Sequence, residues 1–93
     1  MTVEITHIPA EQRYVITVDG ERAGFVEARE SGDVVVFPHT EIDERFEGRG
    51  LAARLVGHAL DDVRAGGKKV AAHCPYVKRF IEKRPEYHDL RVE

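Results

Sequence analysis

The chain has 93 residues, 42 % of them apolar and 33 % charged, and this size and composition predict one globular domain spanning residues 1–93. The net charge of −3 argues against a nucleic-acid partner, and the single cysteine excludes an internal disulfide. No apolar run approaches the ~20 residues of a membrane span and the N-terminus lacks a signal-peptide pattern, so we expect a cytoplasmic protein with no membrane partner.

The first 42 residues predict an antiparallel meander of short strands. Apolar and polar residues alternate over 3–8 and 13–18, and the Asp19-Gly20 pair that follows favours a hairpin turn. Further strands are expected over 22–29 and 33–37, the second of which carries three consecutive valines and a phenylalanine. Such a continuous apolar run is typical of a strand that is covered on both faces.

The second half of the chain changes to a helical period. Apolar residues form one stripe over 49–65, and Gly66-Gly67 predicts the end of that helix. The segment KKVAAHC (68–74) predicts a short buried strand. Pro75 suits the first position of a second, shorter helix, and Pro85 is expected to stop it.

The predicted fold class is therefore α/β: a mixed sheet with an antiparallel N-terminal meander, then a β-α-β unit and a short C-terminal helix. Within that unit, strands over 33–40 and 69–74 are expected to lie parallel, with a right-handed crossover. Ligands of open α/β sheets bind beyond the carboxyl ends of parallel strands, which here are residues 39–42 and 73–74. The predicted ligand site is at this edge of the sheet.

A glycine loop, Gly48-Arg49-Gly50, joins the strand to the first helix. The first N–H groups of a helix have no internal partner and form an anion site, and Asp43 is the nearest preceding residue able to cap them. Arg45 and Arg49 add positive charge that suits a pyrophosphate. An ordinary strand-to-helix loop explains the glycines equally well, because short glycine motifs give many false positives.

The stretch HTEIDERFEGRGLAARLVGHALDDVRAGGKKV (39–70) resembles the acetyl-CoA-binding core of the GNAT superfamily of N-acetyltransferases. The family pattern Gln/Arg-x-x-Gly-x-Gly/Ala fits in two registers, one beginning at Arg45 and one at Glu47. We prefer Glu47-x-x-Gly50-x-Ala52, because it matches the helix start and puts Ile42 where the family has its pantetheine-facing residue. The acidic Glu47 departs from the family pattern, and we expect it to point away from the phosphates.

Further along, HCPYVKRFIEKRPEY (73–87) taken with HTEI (39–42) resembles a minimal, single-domain branch of that superfamily, and the match runs from Val34 to Leu90. Cys74 precedes the second helix, whose dipole favours a thiolate. From the residue alone, a small buried hydrophobe is the favoured interpretation. The resemblance implies an active-site cysteine instead, either as nucleophile or as proton donor to the departing coenzyme A thiolate.

His39 ends the neighbouring strand, on the face that carries Val35 and Phe37. If the strand register brings it to Cys74, it can act as a general base near neutral pH. A histidine bonded to backbone at a strand end is an equal alternative, and Glu41 is a weaker candidate base. The five histidines and one cysteine show no ligand spacing, so no metal site is expected.

The resemblance thus implies transfer of an acetyl group from acetyl-CoA to a small-molecule or protein amine acceptor. The predicted catalytic residues are Cys74 and His39. The predicted coenzyme-binding residues lie in the strand end and the glycine loop: Thr40, Glu41, Ile42, Arg45, Gly48, Arg49, Gly50, Leu51 and Ala52. A non-catalytic acyl-CoA-binding or regulatory module is the alternative, since a fold does not fix a function. An exposed edge strand leaves both a monomer and a weak dimer open.

Overall fold

The computed structural model describes residues 1–93. It contains seven strands and two α-helices, together with short 3-10 helices over Pro9–Glu11, Glu44–Phe46 and Pro85–Leu90. In chain order the strands and α-helices are β1 (Val3–Ile8), β2 (Arg13–Val18), β3 (Glu21–Glu27), β4 (Arg29–Ser31), β5 (Val34–Phe37), β6 (Thr40–Ile42), α1 (Leu51–Ala65), β7 (Lys69–Ala72) and α2 (Pro75–Glu82).

The strands form two sheets. One has the order β1-β2-β3-β6 and is antiparallel throughout, and the other has the order β4-β5-β7. Within the second sheet β4 pairs antiparallel with β5, while β5 pairs parallel with β7 across the α1 connection. The predicted fold class is confirmed, with its N-terminal meander, β-α-β unit and short C-terminal helix.

The prediction of one continuous strand over 33–40 is wrong, because the chain crosses between the sheets at this point. Pro38 has no N–H to donate and interrupts the ladder, so β5 ends before it and β6 begins at Thr40. The Phe37 carbonyl accepts from the Cys74 amide at 2.7 Å, whereas the His39 carbonyl accepts from the Glu27 amide at 2.8 Å. Two residues therefore carry the chain from the second sheet to the first.

The predicted strand over 22–29 is divided in the same way. β3 ends at Glu27 and belongs to the first sheet, and β4 begins at Arg29 and belongs to the second. Between them the Ala28 amide donates to the Gln12 carbonyl at 2.8 Å. The alternation of apolar and polar residues does not reveal that the chain changes sheets, because this pattern is local and both segments are extended.

Helix α1 supplies the centre of the core. Its predicted apolar stripe is buried against the strands, as seen for Leu51, Leu55, Val56, Ala59, Leu60 and Val63. Burying a side chain of this size stabilises the fold by about 1.5–3 kcal/mol relative to leaving it in water. The helix begins two residues later than predicted, because Gly50 has a φ of 73° and cannot be its first helical residue.

Helix α2 lies beside α1 and begins at the same end of the sheets, since each helix follows one of the two parallel strands. The helices approach at Gly57, where an added Cβ would lie 3.6 Å from the Phe80 ring, an ordinary contact distance. Pro85 does not follow α2 directly but opens the 3-10 helix, after which Arg91 bridges to Val70. No helix in the structure is long and apolar enough to cross a membrane.

Candidate active site

The crossing at Pro38 produces a cleft between β6 and the end of β7. In the second sheet Phe37 is the Cα partner of Ala72, whereas two residues beyond Pro38 the partner of Thr40 is Val26 in β3. The segment after Pro38 therefore diverges from the strand that leads to Cys74. A cavity of about 310 Å³ lies here, between β6, the glycine loop, the first turn of α1 and Tyr76.

Six of the predicted coenzyme-binding residues line this cavity, namely Thr40, Ile42, Gly48, Gly50, Leu51 and Ala52. Glu41 does not, because it is paired with Phe25 and lies on the opposite face of the sheet. Arg45 does not either, and its guanidinium is paired with Asp43 at 3.3 Å and Glu21 at 3.4 Å. The Arg49 guanidinium lies 5.4 Å from the Phe46 ring, and the residue is exposed.

The N-terminus of α1 faces the cavity without a side-chain cap. Gly50 is the N-cap residue, and no side chain accepts a hydrogen bond from the amides that follow it. Asp43, the candidate cap, instead accepts from the Arg45 amide at 2.9 Å and caps the short 3-10 helix. That hydrogen bond, with the Arg45 guanidinium beside it, lowers the pKa of Asp43. The first amides of α1 are thus left to bind an anion.

The two loop glycines hold this arrangement by their backbone conformation. Gly48 has a φ of 79° and Gly50 a φ of 73°, a region that costs other residues about 1–2 kcal/mol. An added Cβ at either position would meet no atom within 4 Å, so space is not the reason for glycine here. Glu47 also lines the cavity, although the sequence predicts that it points away from the phosphates.

Cys74 lies where β7 leads into α2 and is the N-cap residue of that helix. Its side chain is 4 % exposed, and its Sγ donates to the Thr40 Oγ1 at 3.4 Å. This contact joins the β7–α2 junction to β6 across the cleft. Cys74 does not line the cavity itself, but it contacts Thr40, which does, and the thiol therefore sits just behind the inner end of the cleft, close to a helix N-terminus and a hydroxyl group.

His39 does not contact the thiol. Its ring is exposed and lies 5.9 Å from the Phe25 ring, on the other side of the strand. The pairing of Phe37 with Ala72 shows that the two predicted faces do coincide. An unbroken strand would have placed His39 beside Cys74, but the interruption at Pro38 shifts the alternation by one residue and puts Thr40 there. A proline inside a predicted strand was the signal for this shift.

The sequence favours a role for Tyr76 in the core or in packing against the coenzyme rather than in catalysis, and the residue lines the cleft together with Phe46 and Ala53. The spacing of Tyr76 and Phe80 on α2 places both on the side facing α1, with their rings 6.5 Å apart. No group of three His, Cys, Asp or Glu side chains is arranged to hold a metal ion.

Proteins that are similar to this chain in sequence were found by comparison with known proteins. A family profile described as "GCN5-related N-acetyl-transferase" matches residues 13–90. Protein NATD1 of Homo sapiens is 25 % identical over 85 residues, which cover 89 % of this chain and 75 % of that protein. Protein NATD1 of Gallus gallus is 25 % identical over 85 residues and is covered to 77 %.

Solved structures share the fold. A protein described as a GCN5-like N-acetyltransferase of Staphylococcus aureus has a TM-score of 0.74 at 21 % identity, over 96 % of this chain and 87 % of that one. A GNAT family N-acetyltransferase of Escherichia coli, solved in complex with CoA, has a TM-score of 0.57 at 29 % identity. That likeness covers 64 % of this chain and 38 % of the E. coli chain.

Proposed function

The chain belongs to the GCN5-related N-acetyltransferase family, and on this premise we propose that residues 1–93 form one domain that transfers an acetyl group from acetyl-CoA to an amine. Family membership supports acyl transfer in general. The observation that carries the coenzyme proposal is the cleft itself, where a cavity of about 310 Å³ is bordered by the uncapped N-terminus of α1.

The residues of the cleft fit a coenzyme that is anionic at one end and thin and amphipathic along its length. The free amides at Leu51 and Ala52 suit a pyrophosphate, because they donate hydrogen bonds at the positive end of the helix dipole. Ile42 and Tyr76 give the remainder of the cleft an apolar wall that suits a pantetheine arm. When bound, acetyl-CoA supplies the acetyl group in activated form, as a thioester.

Cys74 is the proposed reactive side chain of the site. Its thiol lies at the N-terminus of α2 and is oriented by the Thr40 hydroxyl at 3.4 Å. In this position it either accepts the acyl group or gives its proton to the departing thiolate. His39 keeps a separate role in the proposal, as a base on the opposite side of the strand, where an acceptor amine can approach.

A second candidate function is a module that binds acyl-CoA and transfers nothing. One observation favours it: the side chain in hydrogen-bond contact with the thiol belongs to a threonine, which is not a general base at neutral pH. The two candidates differ in product formation rather than in coenzyme binding.

Titration calorimetry with acetyl-CoA tests the coenzyme proposal. We expect binding by the wild type and a loss of about five-fold or more in Gly50→Ala, because alanine at a φ of 73° displaces the amides. Gly57→Ala is the matched control, since its Cβ meets only ordinary contacts and lies away from the cleft. No binding by the wild type would contradict the coenzyme proposal, and equal affinities would mean that the loop is wrongly assigned.

Mass spectrometry after incubation with labelled acetyl-CoA tests the chemistry. Acetyl on Cys74 is expected if the thiol is a nucleophile, and acetyl on the amine alone if it is a proton donor. Turnover that is unchanged in Cys74→Ala would remove the cysteine from the mechanism. Binding without any acetylated amine would favour the non-catalytic module.

A further inference from the structure

The sheet face opposite α1 is not covered by a helix, and we call it the outer face. Val15 and Ala71 are buried there, but neither belongs to the core cluster that surrounds α1. The Cα partner of Val15 is Phe25, and the partner of Phe25 in β6 is Glu41, so these side chains share this face. His39 lies beside them, with its ring 5.9 Å from that of Phe25.

A groove with a cavity of about 560 Å³ lies on the outer face, between β3, β6 and the loop that follows β6. Val15 and Phe25 form its apolar floor, and Ala23 and Ile42 border it although Ala23 belongs to the core cluster around α1 and Ile42 packs against that cluster. Ile42 also lines the coenzyme cleft, so the groove and the cleft are separated by the thickness of one strand. A ligand in the groove is therefore close to the point where the two sheets diverge.

The charges around the groove do not balance. Arg22 is bonded to Glu11 at 3.3 Å and 3.4 Å, and Arg45 is paired with Glu21 and Asp43. The other two charged residues that line the groove, Glu41 and Glu44, take part in no ion pair. Both are exposed. The residues that line the groove thus offer two free carboxylates and no free cation. Beside them, the Arg13 guanidinium covers one face of the Phe25 ring at 4.0 Å from its centroid and lies 3.9 Å from Glu11.

We propose that this groove binds the acceptor of the acetyl group as an alkyl amine that carries a second positive charge. The methylene chain lies over Val15 and the part of the Phe25 ring that Arg13 leaves open, the distal ammonium lies against Glu41 and Glu44, and the reacting amine lies near His39 at the edge of the cleft. This proposal rests on the proposed acetyl transfer. In that transfer the amine nitrogen bonds to the acetyl carbon and the C–S bond breaks. The amine's proton passes to His39 or to solvent, and the departing thiolate takes a proton from Cys74 or from solvent.

Free diamines and lysine side chains share this chemistry, and steady-state kinetics with three acceptors distinguishes them. The acceptors are 1,5-diaminopentane, a short terminally blocked peptide with one lysine followed by an arginine, and 1-aminopentane, which lacks the second charge. We expect kcat/KM to be about five-fold or more higher for a doubly charged acceptor than for 1-aminopentane, as expected for a few screened ion pairs. The faster of the two doubly charged acceptors identifies the source.

The carboxylates are tested with Glu41→Gln and Glu44→Gln, which keep shape and remove charge. Each variant is expected to raise KM for the doubly charged acceptor about two- to five-fold and to lower its advantage over 1-aminopentane. Glu4→Gln, an exposed change in β1, is the control and should alter neither value. Added salt should raise KM for the doubly charged acceptor more than for 1-aminopentane, which tests the charge effect even if a variant folds poorly.

The outcomes separate this proposal from the one on which it rests. Two results would overturn the groove proposal and leave the proposed acetyl transfer intact. One is acetylation with no preference for an acceptor that carries a second charge, and the other is a preference that survives both substitutions. Acetylation of no amine at all would contradict the proposed function itself. A dimer in solution that buries the groove would also overturn the proposal, because a second copy would then occupy it.

Discussion

Individual side chains tune the cleft through charge and hydrogen bonding. The thiol of Cys74 and the hydroxyl of Thr40 come from positions 34 residues apart and meet at 3.4 Å. A sulfur at that distance is a weak donor, so the contact orients the thiol more than it stabilises the fold.

The first prediction concerns that contact. In Thr40→Val the thiol loses its acceptor while the side-chain shape is kept, so kcat should fall by about five-fold for a bond that contributes about 1 kcal/mol. Thr40→Ser keeps the hydroxyl and should restore most of the rate. Coenzyme affinity, measured by calorimetry, should change little in Thr40→Ser. Equal kcat values in wild type and Thr40→Val would show that the hydroxyl does not position the thiol.

The second prediction concerns Glu47, an exposed carboxylate that lines a cavity proposed to hold phosphates. Glu47→Gln removes a repulsive charge, so acetyl-CoA should bind about two- to five-fold more tightly, as expected for a screened surface charge near a helix N-terminus. Calorimetry at low and high salt measures this change, and the gain should shrink as salt is added. Weaker binding in the variant would place the phosphates elsewhere.

At the scale of elements, glycines control how closely strands and helices approach. An added Cβ at Gly24 would lie 2.4 Å from the Glu41 carbonyl oxygen, which is backbone and cannot move without disturbing β6. At Gly57 the nearest atom is the Phe80 ring at 3.6 Å, an ordinary contact. The same substitution should therefore have opposite effects in the sheet and in the helix.

The third prediction follows from this contrast. Gly24→Ala should lower the free energy of unfolding by about 1–3 kcal/mol, because it forces β3 and β6 apart. Gly57→Ala should raise it by about 0.5–1 kcal/mol, since alanine favours a helix interior and fits the space. Urea unfolding of the two variants beside the wild type measures both. A destabilised Gly57→Ala would mean that α1 and α2 pack more tightly than the 3.6 Å distance indicates.

The sequence predicted helices and strands well wherever they follow from the local spacing of apolar residues. The helix over 49–65 and the strand before Pro75 follow directly from apolar spacing. The points near Ala28 and Pro38, where the chain passes from one sheet to the other, were missed. The sheet to which a segment belongs depends on which strand its backbone pairs with, and that strand is distant in sequence. The glycine loop was located correctly, but the place of Thr40 beside the thiol depends on the missed interruption.

At the scale of the whole molecule, two tyrosines, one buried and one half-buried, tie the outer elements to α1. The Tyr14 hydroxyl in β2 donates to Asp62 at 2.5 Å, and the Tyr87 hydroxyl in the last 3-10 helix donates to Asp61 at 2.7 Å. Burial, and then the bonds to the carboxylates, raise the pKa of both tyrosines, that of Tyr87 to about 12. The neutral phenols thus stabilise the folded chain.

The fourth prediction is a loss of stability at alkaline pH. A phenol whose pKa in the folded chain lies above its ordinary value of 10.0 contributes stability below pH 10 that is lost as the pH rises through the folded value. The contribution of these tyrosines to the free energy of unfolding should therefore stay constant up to about pH 10 and fall above it. Urea titrations from pH 8 to pH 12 measure the slope.

Tyr14→Phe and Tyr87→Phe provide the variants for this test. Each should reduce the alkaline slope, and Tyr14→Phe should also lose about 0.5–1.5 kcal/mol at neutral pH with its hydrogen bond. An alkaline slope that is unchanged in both variants would assign the loss of stability to other groups.

Cys74 has one further consequence, for the experimenter. It is the only thiol among 93 residues, so a maleimide fluorophore attaches to this protein at one atom, without engineering. Since Cys74 is 4 % exposed and lies just behind the inner end of the cleft, labelling requires the two sheets to part locally. The labelling rate is therefore a native reporter of how often the cleft opens, and its slowing by an added compound is a direct screen for occupants.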